Sequence, residues 1–544
     1  SGTGLIQESG TATGVTVLTG NNTNFTGGIL ITSGTLKAAT TAALGTNLSA
    51  GNYNGVFYPN PITITNIGTL DITNGVNINP ENNPNQAITV SGAGAGGNGA
   101  IINSSSSATF TTPNFSYVTF AGNTTIGGTG RLDWRDLSAT NTDAALNTAP
   151  PGTPYQLTKI GTNRLQLTGV QIDPAFGHIV VQSGIFGIQG VIPSLGEVTS
   201  NLVVFSNTTL SFFNVSNVMN KNLILDDGAI VSNESGSNTW GGPVTLLGSN
   251  TFNIGGNWVL ATAPIGGVGT LAKVTGTSPL FLAAAETYSG PTFVEAGSLC
   301  LTNIGAGDAS ISDSSEITIG SGAVLDVIGR SDQQLTVPSG QTLTGNGMVN
   351  GSVVVNSGGV IIPGNPSSVM TISNSASLSG LAFMAIQKSP LTNSQLRTVT
   401  GTITYGGVLT VTNLGGNMKG GESFRLFRAG GGYLGAFSAT NLPQLGPGLS
   451  WDASALGTSG TITVSGTLTP PAIGTFSYSA PTLSLSGSGG TPGGPYVVIT
   501  STNVAAPLST WTPVVTNSFD GSGDFNWSGN VGSTNVTQFF DIRE

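Results

Sequence analysis

The sequence predicts an all-β protein built mainly as a stack of short strands. The expected fold is an elongated right-handed parallel β-solenoid (β-helix) over residues 1–375. Closing β-rich coils follow over 376–468, then a small C-terminal β-sandwich over 469–544. Composition, alternation and self-similarity carry this expectation. Hydrophobic residues make up 38% of the 544 and charged residues only 7%, so the low-hydrophobicity, high-charge condition for disorder fails. The 82 glycines follow no three-residue period, which excludes collagen. The polar mass is Thr, Ser and Asn: Thr favours strands, while Asn, Ser and Gly favour turns.

Alternation is plain in "LTGNNTNFTGGILITSGTLKA", Leu18 to Ala38, where apolar residues recur every second position near its end: Ile29 and Ile31, then Leu36 and Ala38. The stretch has a second copy, "FLAAAETYSGPTFVEAGSLCL", Phe281 to Leu301. Phe25 matches Tyr288, Gly27 matches Gly290, Leu30 matches Phe293, Ile31 matches Val294, Gly34 matches Gly297 and Leu36 matches Leu299. A third copy is "HIVVQSGIFGI", His178 to Ile188, with Gly184 and Phe186 at the Gly34 and Leu36 places. The unit reads aromatic–x–Gly, strand, one-glycine turn, strand. Looser versions begin at Ile62, Leu157, Glu316 and Gly351. Units of roughly 20 to 30 residues with this chemistry predict stacked coils that bury a shared apolar row. Leu36, Leu299, Ile31 and Val294 should face inward, and Lys37 and Cys300 outward.

These stretches resemble the autotransporter-associated β-strand repeat, the passenger-type β-solenoid of bacterial surface proteins. "GNTTIGGTGRLDWRD" (Gly122 to Asp136) resembles the segment after early repeats. "LTGNGMVNGSVVVNSGGVIIPGNPSSVMTIS" (Leu343 to Ser373) resembles a late solenoid segment, and Tyr405 to Asp452 the block that closes many such proteins. The resemblance covers roughly residues 1–465 and implies a secreted or cell-surface protein. It departs at the end: after "VTQFFDIRE" there is no segment for the expected membrane barrel. The part after the linker at Pro470 and Pro471 is similar to terminal modules on repeat proteins of verrucomicrobia.

Charge excludes some partners. The net charge is −10 with 14 Lys plus Arg and no basic run, which argues against nucleic acid and against a polybasic membrane anchor. No apolar run approaches the roughly 18 residues of a spanning helix. The numbering opens at Ser1 without a leader, so a secretion signal is expected to have been removed or left out.

Chemistry is sparse. His178 is the only histidine and falls at a coil corner, aligned with Gly28 and Pro291, without a nucleophile in its pattern. Cys300, the only cysteine, aligns with Lys37 and Gly187; it is expected as a small apolar side chain under a cover, or else an outward thiol able to cross-link. A zinc site lacks ligands. Arg131, Asp133 and Arg135 share one strand face as an ion row, with Leu132 and Trp134 opposite; Asp136 ends that run. Asp520, Ser522, Asp524 and Asn526 space oxygens as calcium loops do, but without the closing Glu, so a Gly-rich turn is favoured there. Asp226-Asp227-Gly228 reads as a turn, and Asn-x-Ser/Thr triplets such as Asn123-Thr124-Thr125 are too frequent to mark glycosylation.

The expectation is therefore a protein without catalytic residues or cofactor: an extracellular scaffold polymerising with copies of itself into a filament or surface layer. Ser1, Leu5, Ile6, Val15, Val17, Phe539 and Phe540 are the assembly candidates, because uncapped solenoid ends pair with other chains. A monomeric adhesin stalk with glycan or cell-surface contacts is the second reading, and a polysaccharide-cleaving β-helix enzyme the third.

Overall fold

Leu202, Leu223, Val244 and Ile265 pair in register on four successive parallel strands, so one coil here takes 21 residues. This is the sequence repeat in three dimensions. The computed structural model describes all residues except 1–3, 12, 23–24, 26, 46–60, 74–75, 79–87, 107–113, 136–143, 261–262, 305–306, 468–469 and 533–536, and the side chains of 41, 42, 77 and 258–260. The chain is 52% strand and 2% helix, a parallel β-solenoid of about 15 turns followed by antiparallel sheets. It divides into two units, Ser1–Gln334 and Leu335–Glu544.

In the first unit, strands stack into parallel ladders along separate faces. One ladder runs from Ile6–Ser9 through Ile29–Ala38 and Ile62–Ile72 and ends at Ile265–Gly267. A second includes Leu132–Arg135, Arg164–Thr168, Ile185–Gln189, Thr209–Phe213 and Ile230–Ser235. A third includes Leu280–Leu282, Ser298–Thr302 and Val324–Gly329. Alternation puts every second side chain into the lumen. Ile31, Leu36, Val294 and Leu299 are fully buried, as the pattern predicts. Lys37 faces out and pairs with Asp71 on the next rung at 3.5 Å.

The repeat glycines have two separate physical jobs. Gly34, Gly184 and Gly297 all have positive φ (74°, 75° and 63°), the region L side chains avoid, and so make the one-residue corner. Gly177 and Gly290 instead leave room for the preceding coil: a Cβ there would lie 2.5 Å from the Pro154 carbonyl oxygen and 2.1 Å from that of Gly269. The copies differ in one respect. Ile29–Ala38 is one strand that stays paired with Ile62–Ile72 through the corner, at Ser33↔Ile67 and Gly34↔Gly68. Thr292–Val294 and Ser298–Thr302 part at Gly297 into different sheets.

The lumen is not wholly apolar. Lys159 stands in an inward column between Ile126 and Val181, and Lys273 between Phe252 and Val294. Both are fully buried, and so is Lys221. Lys159 Nζ donates to the carbonyls of Ile160, Gly161 and Ser183 at 2.7, 3.0 and 3.1 Å. Lys221 Nζ donates to those of Gly177, Leu195 and Glu197, and Lys273 Nζ to those of Thr275, Gly276 and Ala296. Each ammonium thus directs all three protons to backbone carbonyls at the coil corners. Burial pushes Lys159 down to about 7 and Lys221 and Lys273 to about 8.

Parallel coils fill the start of the second unit, where Val353, Ala376, Ile403 and Tyr433 are in successive register. The stack closes on aromatic rings. Tyr405 lies 4.4 Å from Phe437 and 5.2 Å from Phe427 between ring centroids, and its hydroxyl donates to the Leu456 carbonyl. The pairing then turns antiparallel, with Thr461–Gly466 between Ser423–Arg425 and Leu449–Asp452. Beyond Pro470 and Pro471 come two three-stranded antiparallel sheets. They share a core of Leu483, Leu485, Tyr496, Val498, Phe519, Phe525, Trp527 and Ile542, the expected sandwich.

Candidate functional site

The first rung of the solenoid offers one candidate surface. Ile6–Ser9 and Val15–Leu18 each pair, among the described residues, with Ile29–Ala38 on one side only. Their outer backbone edge is a row of donors and acceptors able to pair with another strand. Leu5, Val15 and Val17 are 60%, 59% and 48% exposed beside it, while Ile6 is partly buried against Ile29. Ser1 lies outside the described residues.

The terminal sandwich offers a second. Ala472–Ser479 and Phe539–Arg543 are edge strands of the two sheets, and an apolar groove of about 530 Å³ opens between them. Phe476, Tyr478, Phe539 and Phe540 line it over a floor of Leu483 and Leu485. Phe476 is 75% exposed, an unusual place for a large apolar ring unless something covers it. Phe539 and Phe540 were legible as candidates; Phe476 and Tyr478 were not, because alternation alone does not tell an edge strand from a central one.

The outer face of the second ladder carries a polar cleft of about 290 Å³. Arg131, the first residue of the Arg131–Asp133–Arg135 row, lines it. Arg131 Nε lies 2.6 Å from Asp133 Oδ1, Arg135 lies 4.0 Å from Oδ2, and the Asp133 side chain is fully buried between them. Leu132 and Trp134 face the lumen, as alternation predicts; Asp136 lies outside the described residues. In register with Asp133 come Gln166, Gly187, Ser211 and Ser232 on the next rungs. The small Gly187 and Ser211 form a low floor. Arg164 stretches over it to a carboxylate on Glu234, paired through both oxygens, and also donates to Gln166 Oε1 at 2.9 Å. A Cβ on Gly187 would stand 2.2 Å from that Gln166 oxygen, so glycine is what leaves room for this bridge. Burial opposes ionisation of Glu234. Hydrogen bonds from Arg164 and Ser211, with the charges of Arg164 and Arg131, outweigh it and hold the carboxyl below its ordinary range. Gln189 and the half-exposed Phe213 complete the walls.

No family model and no curated protein matches this chain. Its chemistry is therefore read from its own side chains. His178 is exposed at its corner, and its Nδ1 accepts from the Asn201 amide at 3.0 Å. Cys300 does face away from the lumen between Leu299 and Leu301, but it is only 8% exposed, in register with Phe281 and Asp326. The cover expected for it is present, and burial pushes its thiol up to about 11, which disfavours the thiolate. Asp520 accepts the backbone amides of Ser522 and Asp524 at 2.8 and 2.9 Å, which gives its carboxylate the role of a turn cap. Ser522, Asp524 and Asn526 are exposed around it. Among the described residues, no three His, Cys, Asp or Glu side chains are grouped to hold a metal.

Glu286 was missed by sequence reasoning. It is 3% exposed and accepts the Ile265 amide. Burial pushes its carboxyl up to about 8. The buried lysines were missed as well, although "LTKIGT" and "LAKVTGT" share a Lys two residues past a Leu and just before a Gly corner.

Proposed function

We propose that this chain is a non-enzymatic extracellular structural protein whose repeats are of the autotransporter-associated kind. It joins head to tail with copies of itself into a filament or surface layer. The observation that carries this reading is the outer edge of the first rung, which has no partner strand among the described residues and has Leu5, Val15 and Val17 exposed beside it. The sandwich groove supplies a matching receptor of opposite design: apolar, flanked by two strand edges, and lined by Phe476, Tyr478, Phe539 and Phe540. A strand laid in such a groove gains ladder hydrogen bonds and apolar burial together. Two different surfaces meeting in this way form a heterologous contact, which propagates rather than closes. The low-lying Glu234 carboxyl, ionised at neutral pH, is a poor proton donor, which weighs against glycoside cleavage at the cleft.

Electron microscopy of the purified full chain tests the reading. Filaments are expected, and deletion of residues 1–13 should abolish them while circular dichroism still reports a β-fold. Monodisperse single chains from the intact protein would overturn assembly in favour of the stalk. Sugar release from a polysaccharide panel would overturn the non-enzymatic part.

A further inference from the structure

We infer that the polar cleft between Arg131 and Glu234 is a binding site for an uncharged carbohydrate chain. Charged residues are 7% of the sequence, yet Arg131, Asp133, Arg135, Arg164 and Glu234 gather on one outer sheet face. A general surface need, such as solubility, does not require that clustering. The strands hold these groups in a fixed frame. Asp133, Gln166, Gly187 and Ser211 stand on consecutive rungs, and Gly187 leaves room for the Gln166 amide that holds Arg164.

The pairing within the cleft selects the ligand class. Arg131 is already matched by Asp133, and Arg164 by both oxygens of Glu234. A free anion or cation would have to compete with an intact, partly buried partner. A sugar hydroxyl both donates and accepts, so it can add to a guanidinium–carboxylate pair without breaking it. The partly exposed Gln189 amide offers the same dual chemistry beside it. Phe213, 36% exposed at the cleft wall, supplies an apolar face for the C–H side of a pyranose ring. The volume, about 290 Å³, is at the small end for ligand sites and suits one or two rings of a longer chain. Rungs spaced ~4.8 Å apart repeat at nearly the length of one pyranose, so successive rings can meet successive strands. Nucleic acid is disfavoured by the net charge of −10.

The inference does not depend on assembly, because none of these residues lies on the first rung or in the sandwich groove. Calorimetric titration of the full chain with cellohexaose, xylohexaose, laminarihexaose and chitohexaose tests it, with a galacturonan hexamer as the acidic comparison. Saturable binding of at least one neutral hexamer is expected, unchanged in ~0.5 M NaCl because no ion pair forms with the ligand. Phe213→Ala and Gln189→Ala should each weaken it by about tenfold or more, with the melting temperature kept. Retained affinity in both variants, no binding of any neutral hexamer, or salt-sensitive binding of the galacturonan alone would overturn the assignment. Because titration reads single chains and filaments alike, its failure is distinct from failure of the assembly reading.

Discussion

Lys273 Nζ donates a 2.7 Å hydrogen bond to the carbonyl of Ala296, the residue just before the Gly297 corner of the next coil. Lys159 stands in the same relation to Ser183 and Gly184. An inward lysine of one coil thus fastens the glycine corner of the following one. Lys273→Met would fit the apolar column but take the ammonium donor from three part-buried carbonyls. The expected cost is about 2–4 kcal/mol, seen as a lower melting temperature. Lys37→Met, whose side chain is 31% exposed, should change stability by less than about 1 kcal/mol. Equal melting temperatures for the two variants would remove the fastening role.

Stability should pass through a trough near pH 8. The Glu286 carboxyl, raised to about 8 by burial, keeps its proton in the folded chain after the unfolded chain has lost it. Its contribution is full below the unfolded value and is lost as pH rises through the folded one. Lys159, Lys221 and Lys273, lowered to between about 7 and 8, act oppositely, and stability returns as pH climbs toward the unfolded lysine range. Melting temperatures at pH 5, 8 and 10 read this directly. In Glu286→Gln the decline from pH 5 to 8 should be much reduced; an unaltered decline would place its source elsewhere.

Leu299→Asp puts an unpaired charge between Leu280 and Leu325 in a closed column. The loss should be several kcal/mol, enough to yield misfolded or aggregated protein. A melting temperature unchanged in this variant would contradict the register.

The Cys300 thiol, buried and raised to about 11, should resist alkylation in the native protein and react at once in denaturant. Fast labelling of native protein would show that the outer row at Phe281, Cys300 and Asp326 is open.

Assembly through strand edges and apolar rings should survive molar salt, since few charges are present to be screened. Reversible dissociation by salt would shift the joint to charged residues such as those near Arg131.

Much of the fold could be read from the chain because its information is local. The alternation at Ile29 to Ala38, the corner glycines 34, 184 and 297, and the facing of Arg131, Asp133 and Arg135 each need only a few neighbouring residues. The cleft could not be read this way. Arg164 and Glu234 are 70 residues apart and meet only because three rung-to-rung registers bring them to one face. Nor could the buried lysines, since alternation marks an inward position without saying that corner carbonyls there await a donor. The cover on Cys300 depends likewise on neighbouring rungs and not on its own strand.

The equal spacing of Leu202, Leu223, Val244 and Ile265 makes this part of the protein a gauge with interchangeable divisions. Each division pairs its strand only with the one before and the one after, and presents an aliphatic residue at the same lumen position. Removing residues 223–243 in frame would set Val244 directly against Leu202, a contact of the same kind as the one lost. The stack would shorten by ~4.8 Å and keep its bore. Reach, in such a molecule, is adjustable in whole coils without redesigning either end.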